Sequence, residues 1–170
     1  MNLSARLKTL IIISLMMVVL SACGFQLRGQ YDLPVGMEKI YIQGDANGLL
    51  LRHLKQAFQR AGATVLNQPD KATAVVTLYD ENMERRVLSV GDTARVREYE
   101  SRYKLTYSVI LKSGKAIIEK NTLSLSRDFS FNENEVLGKE REETNLQHDM
   151  QYQAAQTIMR RLVYRGKNLQ

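Results

Sequence analysis

The stretch RVREYESRYKLTYSVILK, Arg95–Lys112, alternates between apolar and polar side chains along most of its length. One face carries Tyr103, Leu105, Tyr107 and Val109, and the other carries Arg102, Lys104, Thr106 and Ser108. A period of two predicts a β-strand that buries one face and leaves the other in water. Such strands are typical of an antiparallel sheet packed against helices on one side only.

The segments on either side of this strand extend the pattern. Ser113-Gly114 predicts a tight turn into a strand whose Leu123, Leu125, Phe129 and Phe131 share a face. On the other side, the turn GDT at 91–93 follows a predicted strand that starts at Ala74–Tyr79 and continues through RRVLSV at 85–90. A first short strand is predicted at Met37–Gln43.

Two segments have helical periodicity. Apolar residues between 48 and 61 recur at steps of three and four, and Gly62 follows as a stop signal. The last helix carries a stripe at Leu146, Met150, Ala154, Ile158 and Leu162 and ends at Gly166. Its start is either the capping-box sequence TNLQ at 144–147 or a position near Asn134. The predicted class is α+β in the order β-α-β-β-β-α, with two helices on one face of a four-stranded, mostly antiparallel sheet.

The N-terminus reads as an export signal. Arg6 and Lys8 precede LIIISLMMVVL at 10–20, an apolar run of eleven residues, whereas a membrane-spanning helix needs about 20. The sequence LSAC at 20–23 resembles the lipobox of bacterial lipoproteins, which implies cleavage before Cys23 and lipidation of this only cysteine. The alternatives are a retained short anchor or an ordinary thiol. The predicted divisions are a signal peptide at 1–22, a lipidated tether at 23–36, one domain at 37–166 and a tail at 167–170.

The sequence offers little material for catalysis. It has no glycine-rich phosphate loop and no G-x-S-x-G motif, and its two histidines, His53 and His148, lie at the rim of one predicted helix and on the polar face of the other. No Cys/His spacing suits zinc, because the single cysteine is predicted to carry lipid. We therefore expect no enzyme, no metal and no cofactor.

Basic residues form the more informative cluster. Between Glu84 and Lys120 there are nine basic and five acidic side chains. Arg85 and Arg86 lead into the Gly91 turn and Arg95 and Arg97 lead out of it, so a hairpin would bring them to one end of the sheet. Arginine binds phosphate with two parallel hydrogen bonds. An exported protein does not meet nucleic acid, so the predicted anionic partners are phosphorylated glycolipids, lipid headgroups or acidic proteins. The alternative is a strand edge that is charged to prevent aggregation.

Four sequence pieces together resemble the LptE family of lipopolysaccharide-assembly lipoproteins: CGFQLRG at 23–29, LPVGMEKIYIQ at 33–43, SVGDTARVREY at 89–99 and AAQTIMRRL at 154–162. The resemblance implies an outer-membrane lipoprotein that forms a one-to-one complex inside the LptD β-barrel, helps it to assemble and binds lipopolysaccharide. The implied ligand contacts are assigned to the hairpin arginines, with Lys139 as a further candidate. The remaining alternative is an outer-membrane lipoprotein that binds peptidoglycan or another envelope protein.

Overall fold

Five strands form one mixed sheet, with two helices on one of its faces. The structure, a computed structural model, describes residues 31–46, 48–91, 95–130 and 136–167, and for residues 130 and 136–140 it describes the backbone alone. The elements are β1 (Lys39–Gly44), α1 (Gly48–Arg60), β2 (Thr64–Leu66), β3 (Ala74–Val90), β4 (Val96–Leu111), β5 (Ala116–Ser130) and α2 (Val136–Lys167).

The sheet order is β2-β1-β3-β4-β5, so the prediction of four strands was wrong by one. The additional strand, β2, has three residues and pairs in parallel with the start of β1. Gly62, at φ 86°, ends α1, and Thr64 N then donates to Glu38 O at 2.8 Å. A strand of three residues shows too little alternation to be predicted from the sequence. β2 forms because the chain after α1 runs along the free edge of β1 and pairs with it.

β3, β4 and β5 form a long antiparallel meander, as predicted. β3 continues to Val90, with register shifts against β4 between Leu78 and Asp80 and again between Val87 and Val90. The predicted turn at Ser113-Gly114 is also present, since Gly114 has φ 85° and its N–H donates to Leu111 O at 2.9 Å. β1 pairs in parallel with the first part of β3, ending at Gly44 opposite Leu78.

The core lies between the two helices and one face of the sheet. The predicted inward residues of β4, Tyr103, Leu105, Tyr107 and Val109, are all fully buried. α1 contributes Leu50, Leu54, Ala57 and Phe58, and α2 contributes Met150, Ala154, Ala155, Ile158, Met159 and Leu162. The predicted packing of both helices on one face is therefore confirmed. Phe131, assigned to the inward face of β5, lies outside the described residues.

α2 is 32 residues long and begins at Val136, so TNLQ at 144–147 lies inside the helix and does not cap it. The alternative start near Asn134 is the better one. The reason is the length of the sheet: α1 begins close to the end of β1, and α2 alone covers the part of the hairpin beyond that point. Arg85 of β3 contacts Glu143, ahead of the capping-box sequence, at 3.0 Å.

The described part of the predicted tether, 31–36, packs on the domain. The Tyr31 hydroxyl donates to Gln156 Oε1, and the position of a methyl group built on Gly166 would lie 2.1 Å from Pro34 Cγ. Tyr31 therefore belongs to the same compact unit as the sheet and helices. In the part of the chain that the structure describes, no helix has both the length and the apolar character needed to cross a membrane.

Candidate functional site

The candidate site is the distal hairpin, defined here as Glu81–Val90 of β3 and Val96–Tyr103 of β4. Successive side chains of a strand point to opposite faces. Arg85 and Arg86 are neighbours in an uninterrupted register, opposite Ser101 and Glu100, so they point to different faces of the sheet. The hairpin thus brings the predicted arginines to one end of the sheet without placing them all on one surface.

Arg85 lies on the helix-bearing face and connects the hairpin to α2. Its Nη1 donates to Glu143 Oε2 at 3.0 Å, and its guanidinium carbon lies 4.7 Å from the centre of the Tyr99 ring. Tyr99 in turn stacks on Phe129 of β5, with ring centres 5.6 Å apart. The Arg85 side chain is still half exposed. These contacts give it a structural role whether or not it also meets a ligand.

Arg86 lies on the open face, which carries no helix, among charges of both signs. Its register partner is Glu100, which accepts a hydrogen bond from Arg102 Nη2 at 2.7 Å. Arg102 also lies 4.0 Å from a carboxylate oxygen of Glu84. Opposite charges that face each other across strands stabilise the pairing. This pattern fits the charged-edge alternative better than a purely cationic surface.

Arg95 and Arg97 lie nearest the turn. Gly91 N donates to Arg95 O at 2.7 Å, which brings the two strands together at this end. A methyl group built on Gly91 would lie 2.6 Å from Arg97 Nε, so the arginine side chain folds across the glycine. Both arginine side chains are exposed. Of the four predicted arginines, these two are the best placed to meet a ligand that approaches the end of the hairpin.

Three aliphatic side chains in the same region are also exposed, a feature that the charge count missed. Val87, Leu88 and Val90 are 52%, 49% and 57% exposed. The signal was present in the sequence VLSV at 87–90, which follows directly after the two arginines. The end of the hairpin therefore combines guanidinium groups with apolar surface, a combination suited to a ligand that is both phosphorylated and acylated.

A polar cleft of about 440 Å³ lies beside the base of the distal hairpin, between the start of α1, β3 and α2. It is lined by Asp45, Ala46, Leu49, Glu81, Met83, Gln147, His148 and Gln151. Glu81 Oε1 accepts hydrogen bonds from the Tyr103 hydroxyl and from Gln151 Nε2, each at 2.9 Å. Burial raises the pKa of Tyr103, and the negative charge of Glu81 and the hydrogen bond to it raise it further. This network links two strands to α2.

The two histidines lie where the sequence placed them, His53 at the rim of the core and His148 exposed on the polar side of α2. His53 makes an edge-to-face contact with Tyr152, with ring centres 5.4 Å apart, where α1 meets α2. Burial, then the neighbouring positive charges of Arg52 and Arg60, lower the pKa of His53. Within the described ranges, no group of three His, Cys, Asp or Glu side chains is arranged to hold a metal ion. Cys23 lies outside the described residues, and so does the side chain of Lys139.

A family model described as "LptE: Lipopolysaccharide-assembly" matches residues 37–162, which include the whole sheet and most of α2. This chain belongs to the LptE family. The resemblance read from the sequence is thereby confirmed, and the matched range contains the distal hairpin of this LptE-family chain.

Relatives in sequence and structure agree with this assignment. The LPS-assembly lipoprotein LptE of Photorhabdus laumondii is 27% identical over 154 residues, which cover 90% of this chain and 84% of the relative. LptE of Yersinia enterocolitica is 24% identical, over 91% of this chain and 74% of the relative.

Two solved structures show the same architecture. The solution structure of lipoprotein B from Nitrosomonas europaea superposes with a TM-score of 0.67 at 31% identity, over 81% of this chain and 88% of that one. The crystal structure of the rare lipoprotein B of Shewanella oneidensis also superposes with a TM-score of 0.67, at 24% identity, over 77% of this chain and 98% of that one.

Proposed function

We propose that this chain is a non-enzymatic outer-membrane lipoprotein that binds lipopolysaccharide through the end of its distal hairpin. The observation that carries the proposal is the combination of exposed Arg95 and Arg97 with the half-exposed Val87, Leu88 and Val90. Lipopolysaccharide presents phosphates next to acyl chains, and this end of the molecule offers arginine and aliphatic surface side by side. The family assignment and the names of the relatives support a role in lipopolysaccharide assembly.

The same proposal places the domain inside an LptD-type barrel as a one-to-one partner. The part of the open face around Thr106 supports this placement because it is polar: Thr106 and Thr122 hydrogen bond across strands at 3.0 Å, and Lys104 and Ser124 are exposed beside them. The interior wall of a large outer-membrane barrel is polar as well. Such a surface is suited to a wet, hydrogen-bonded contact with the barrel wall.

Membrane attachment is assigned to Cys23. Acylation of the sulfur and of the new N-terminus gives several chains, which anchor a protein stably where one chain does not. Cys23→Ala should leave the precursor uncut and without lipid. Mass spectrometry of the purified mature protein tests this directly, because an unmodified thiol at Cys23 would contradict the assignment.

Ligand binding is best tested with a double variant at the end of the hairpin. Arg95→Glu with Arg97→Glu should weaken the binding of purified lipopolysaccharide at least tenfold, since two cations are replaced by two anions that repel phosphate. The matched control is Arg52→Glu with Lys71→Glu, which makes the same charge change at exposed positions on α1 and in the loop before β3. Circular dichroism should be unchanged in both variants.

A second double variant tests the apolar half of the site. Leu88→Ser with Val90→Ser leaves every charge in place and should weaken binding to acylated lipopolysaccharide more than binding to the deacylated, phosphorylated oligosaccharide.

Equal affinity of the arginine variant and its control would assign these charges to the edge-protection alternative. If the protein were recovered from outer membranes free of any barrel, with barrel levels unaffected by its depletion, the binding of another envelope component would replace the barrel-partner role.

A further inference from the structure

The end of the domain opposite the hairpin turn has an unusual exposed surface. Val35 is 75% exposed and Tyr164 is 69% exposed, and they are the two most exposed large hydrophobic side chains among the residues that the structure describes. They are also close together in the fold. Pro34, next to Val35, packs against Gly166, which is two residues beyond Tyr164 on α2. Singly exposed apolar residues are common, but a pair at one end that is ringed by charge calls for a partner.

The charge around this pair is positive. Between Met150 and Lys167, α2 has no acidic residue, and its last two turns carry Arg160, Arg161, Arg165 and Lys167. Arg160, Tyr164 and Lys167 are spaced by four and three residues, so they follow one side of the helix. Arg161 is committed to Asn121 and Tyr107, at 3.0 and 3.3 Å, whereas the Arg165 and Lys167 side chains are exposed.

The turn between β4 and β5 adds to this surface. The position of a methyl group on Gly36 would lie 3.3 Å from Leu111 Cδ2, so the Val35-Gly36 turn sits against the end of β4, next to exposed Lys112. The nearby acid Glu38 is exposed, and its carboxylate accepts a hydrogen bond from Gly36 N at 3.1 Å. That bond and the one from its own backbone lower the pKa of Glu38, so its negative charge is held against the backbone.

We propose that this tether end, made of Val35, Lys112, Tyr164, Arg165 and Lys167, docks on the anionic phospholipid surface in which the N-terminal lipid is anchored. The proposal rests on the lipidation of Cys23 assigned under the proposed function. Tyr31, where the packed domain begins, is eight residue steps along the chain from Cys23, and at about 3.3–3.6 Å per step this length spans at most about 29 Å. The headgroups of the anchoring leaflet are therefore within reach of this end of the domain.

The chemistry of the surface matches a bilayer more closely than it matches a protein. Tyrosine is enriched at the membrane–water interface, where its ring lies at headgroup depth and its hydroxyl stays hydrated. Arginine and lysine next to it are attracted by anionic lipid, and such a patch supplies a second signal beside a lipid anchor. The docking would fix the orientation of the domain, with the hairpin turn directed away from the lipid.

A site-specific fluorescence experiment tests this contact in the lipidated protein. Since the sulfur of Cys23 carries the lipid, Val35→Cys introduces a single reactive thiol for an environment-sensitive dye. The labelled protein is reconstituted into vesicles of phosphatidylcholine alone or mixed with phosphatidylglycerol, with a nitroxide on the headgroups of some lipids. Leu88→Cys, at the far end of the hairpin and 49% exposed, is the matched label position.

We expect the dye at position 35 to be quenched several-fold more strongly than the dye at position 88, and more strongly in vesicles that contain phosphatidylglycerol. Arg165→Glu with Lys167→Glu should remove the dependence on anionic lipid and leave lipopolysaccharide binding unchanged. The same charge change at Arg52 and Lys104, which are exposed on α1 and on the open face of β4 away from this end, should have no effect.

Each other result overturns the docking. Equal quenching in both kinds of vesicle, insensitive to the charge reversal, would mean that the tether alone holds position 35 near the lipid. No quenching at position 35 in a protein whose mass shows the acyl chains would overturn the docking while the anchor assignment stands. An unmodified Cys23 would remove the anchor and this proposal together, and lipopolysaccharide binding by the hairpin would then be judged by its own variants.

Discussion

The shared hydrogen bonds of Glu81 should be among the most valuable polar contacts in the fold, and Tyr103→Phe measures one of them. The Tyr103 ring is fully buried, so the substitution keeps the packing and removes only the hydroxyl that donates to Glu81 at 2.9 Å. A hydrogen bond to a charged group contributes about 1.5–3 kcal/mol, and this is the expected loss in free energy of unfolding. Glu81→Leu should cost more, because it leaves both Tyr103 and the nearly buried Gln151 without this acceptor, at about 1–3 kcal/mol each.

Urea unfolding followed by circular dichroism, on the compact unit that begins at Tyr31, gives these values. Tyr107→Phe is the matched control because Tyr107 is equally buried on the same face of the same strand, but its hydroxyl meets Arg161 only at 3.3 Å. We expect it to cost about 1 kcal/mol or less. The double variant Tyr103→Phe/Glu81→Leu should cost less than the sum of the single variants by about 1–3 kcal/mol. Additive costs, or equal costs for the two tyrosines, would refute the network.

The pH dependence provides an independent check on the same residue. The pKa of Tyr103 is raised in the folded state, first by burial and then by the charge of Glu81 and its hydrogen bond. The unfolded chain therefore releases this proton at about pH 10 while the folded chain retains it. The contribution of Tyr103 to stability is complete below about pH 10 and is lost as the pH rises above that value. The stability difference between the wild type and Tyr103→Phe should accordingly narrow above about pH 10 and stay constant between pH 7 and 9.

Three further experiments test a close backbone contact, the core and the ion pair between β3 and α2. Gly44→Ala should lower the free energy of unfolding, measured by thermal melting, by more than about 2 kcal/mol, because φ is 120° and the new methyl group would lie 1.9 Å from a carbonyl oxygen of β3. The control Gly48→Ala should be neutral or slightly stabilising, because its methyl group meets nothing within 4 Å. Ile158→Asp buries an unpaired carboxylate and should cost at least about 3 kcal/mol, against about 0.5–1.5 kcal/mol for Ile158→Val; a near-native melting point would place this residue outside the core. Arg85→Glu and Glu143→Arg should each lower the free energy of unfolding by up to about 1 kcal/mol, and the double exchange should restore it. The exchange should leave the affinity for lipopolysaccharide within about twofold of the wild type. A clear fall in that affinity would make Arg85 a ligand contact.

Alternation and helical periodicity predicted most of the architecture because most of this fold buries one face of each element. The inward residues of β4 and the stripe of α2 could be assigned from the sequence, since each follows a single period over several turns or repeats. β2 could not be, because three residues carry no period and the strand exists only through its pairing with β1. The start of α2 was ambiguous for a related reason. TNLQ has the local chemistry of a cap, but the contact of Glu143 with Arg85 of the hairpin lies before it, and the helix extends back to Val136.

The candidate site shows a different limit. The sequence indicated that four arginines flank one turn, and the hairpin does bring them to one end. Their separation onto two faces depends on register, and the contacts of Arg85 with Glu143 and Tyr99 depend on how α2 crosses the sheet. Neither is encoded in local spacing. The exposed aliphatic residues beside them were visible in the sequence but were read as ordinary strand formers, because apolar residues in a strand are usually buried.

The length of β3 and of α2 gives the two ends of the domain their separate roles. At about 3.3 Å per residue, the 17 residues of β3 extend about 56 Å, and the 32 residues of α2 at about 1.5 Å each extend about 48 Å beside them. The Glu81 network and the Arg85–Glu143 ion pair hold α2 along the part of the hairpin that α1 does not cover. Because these ties are distributed along the hairpin, its turn is kept far from Tyr164 and the tether at the other end. A ligand site on one end and a membrane contact on the other can then act at a fixed distance.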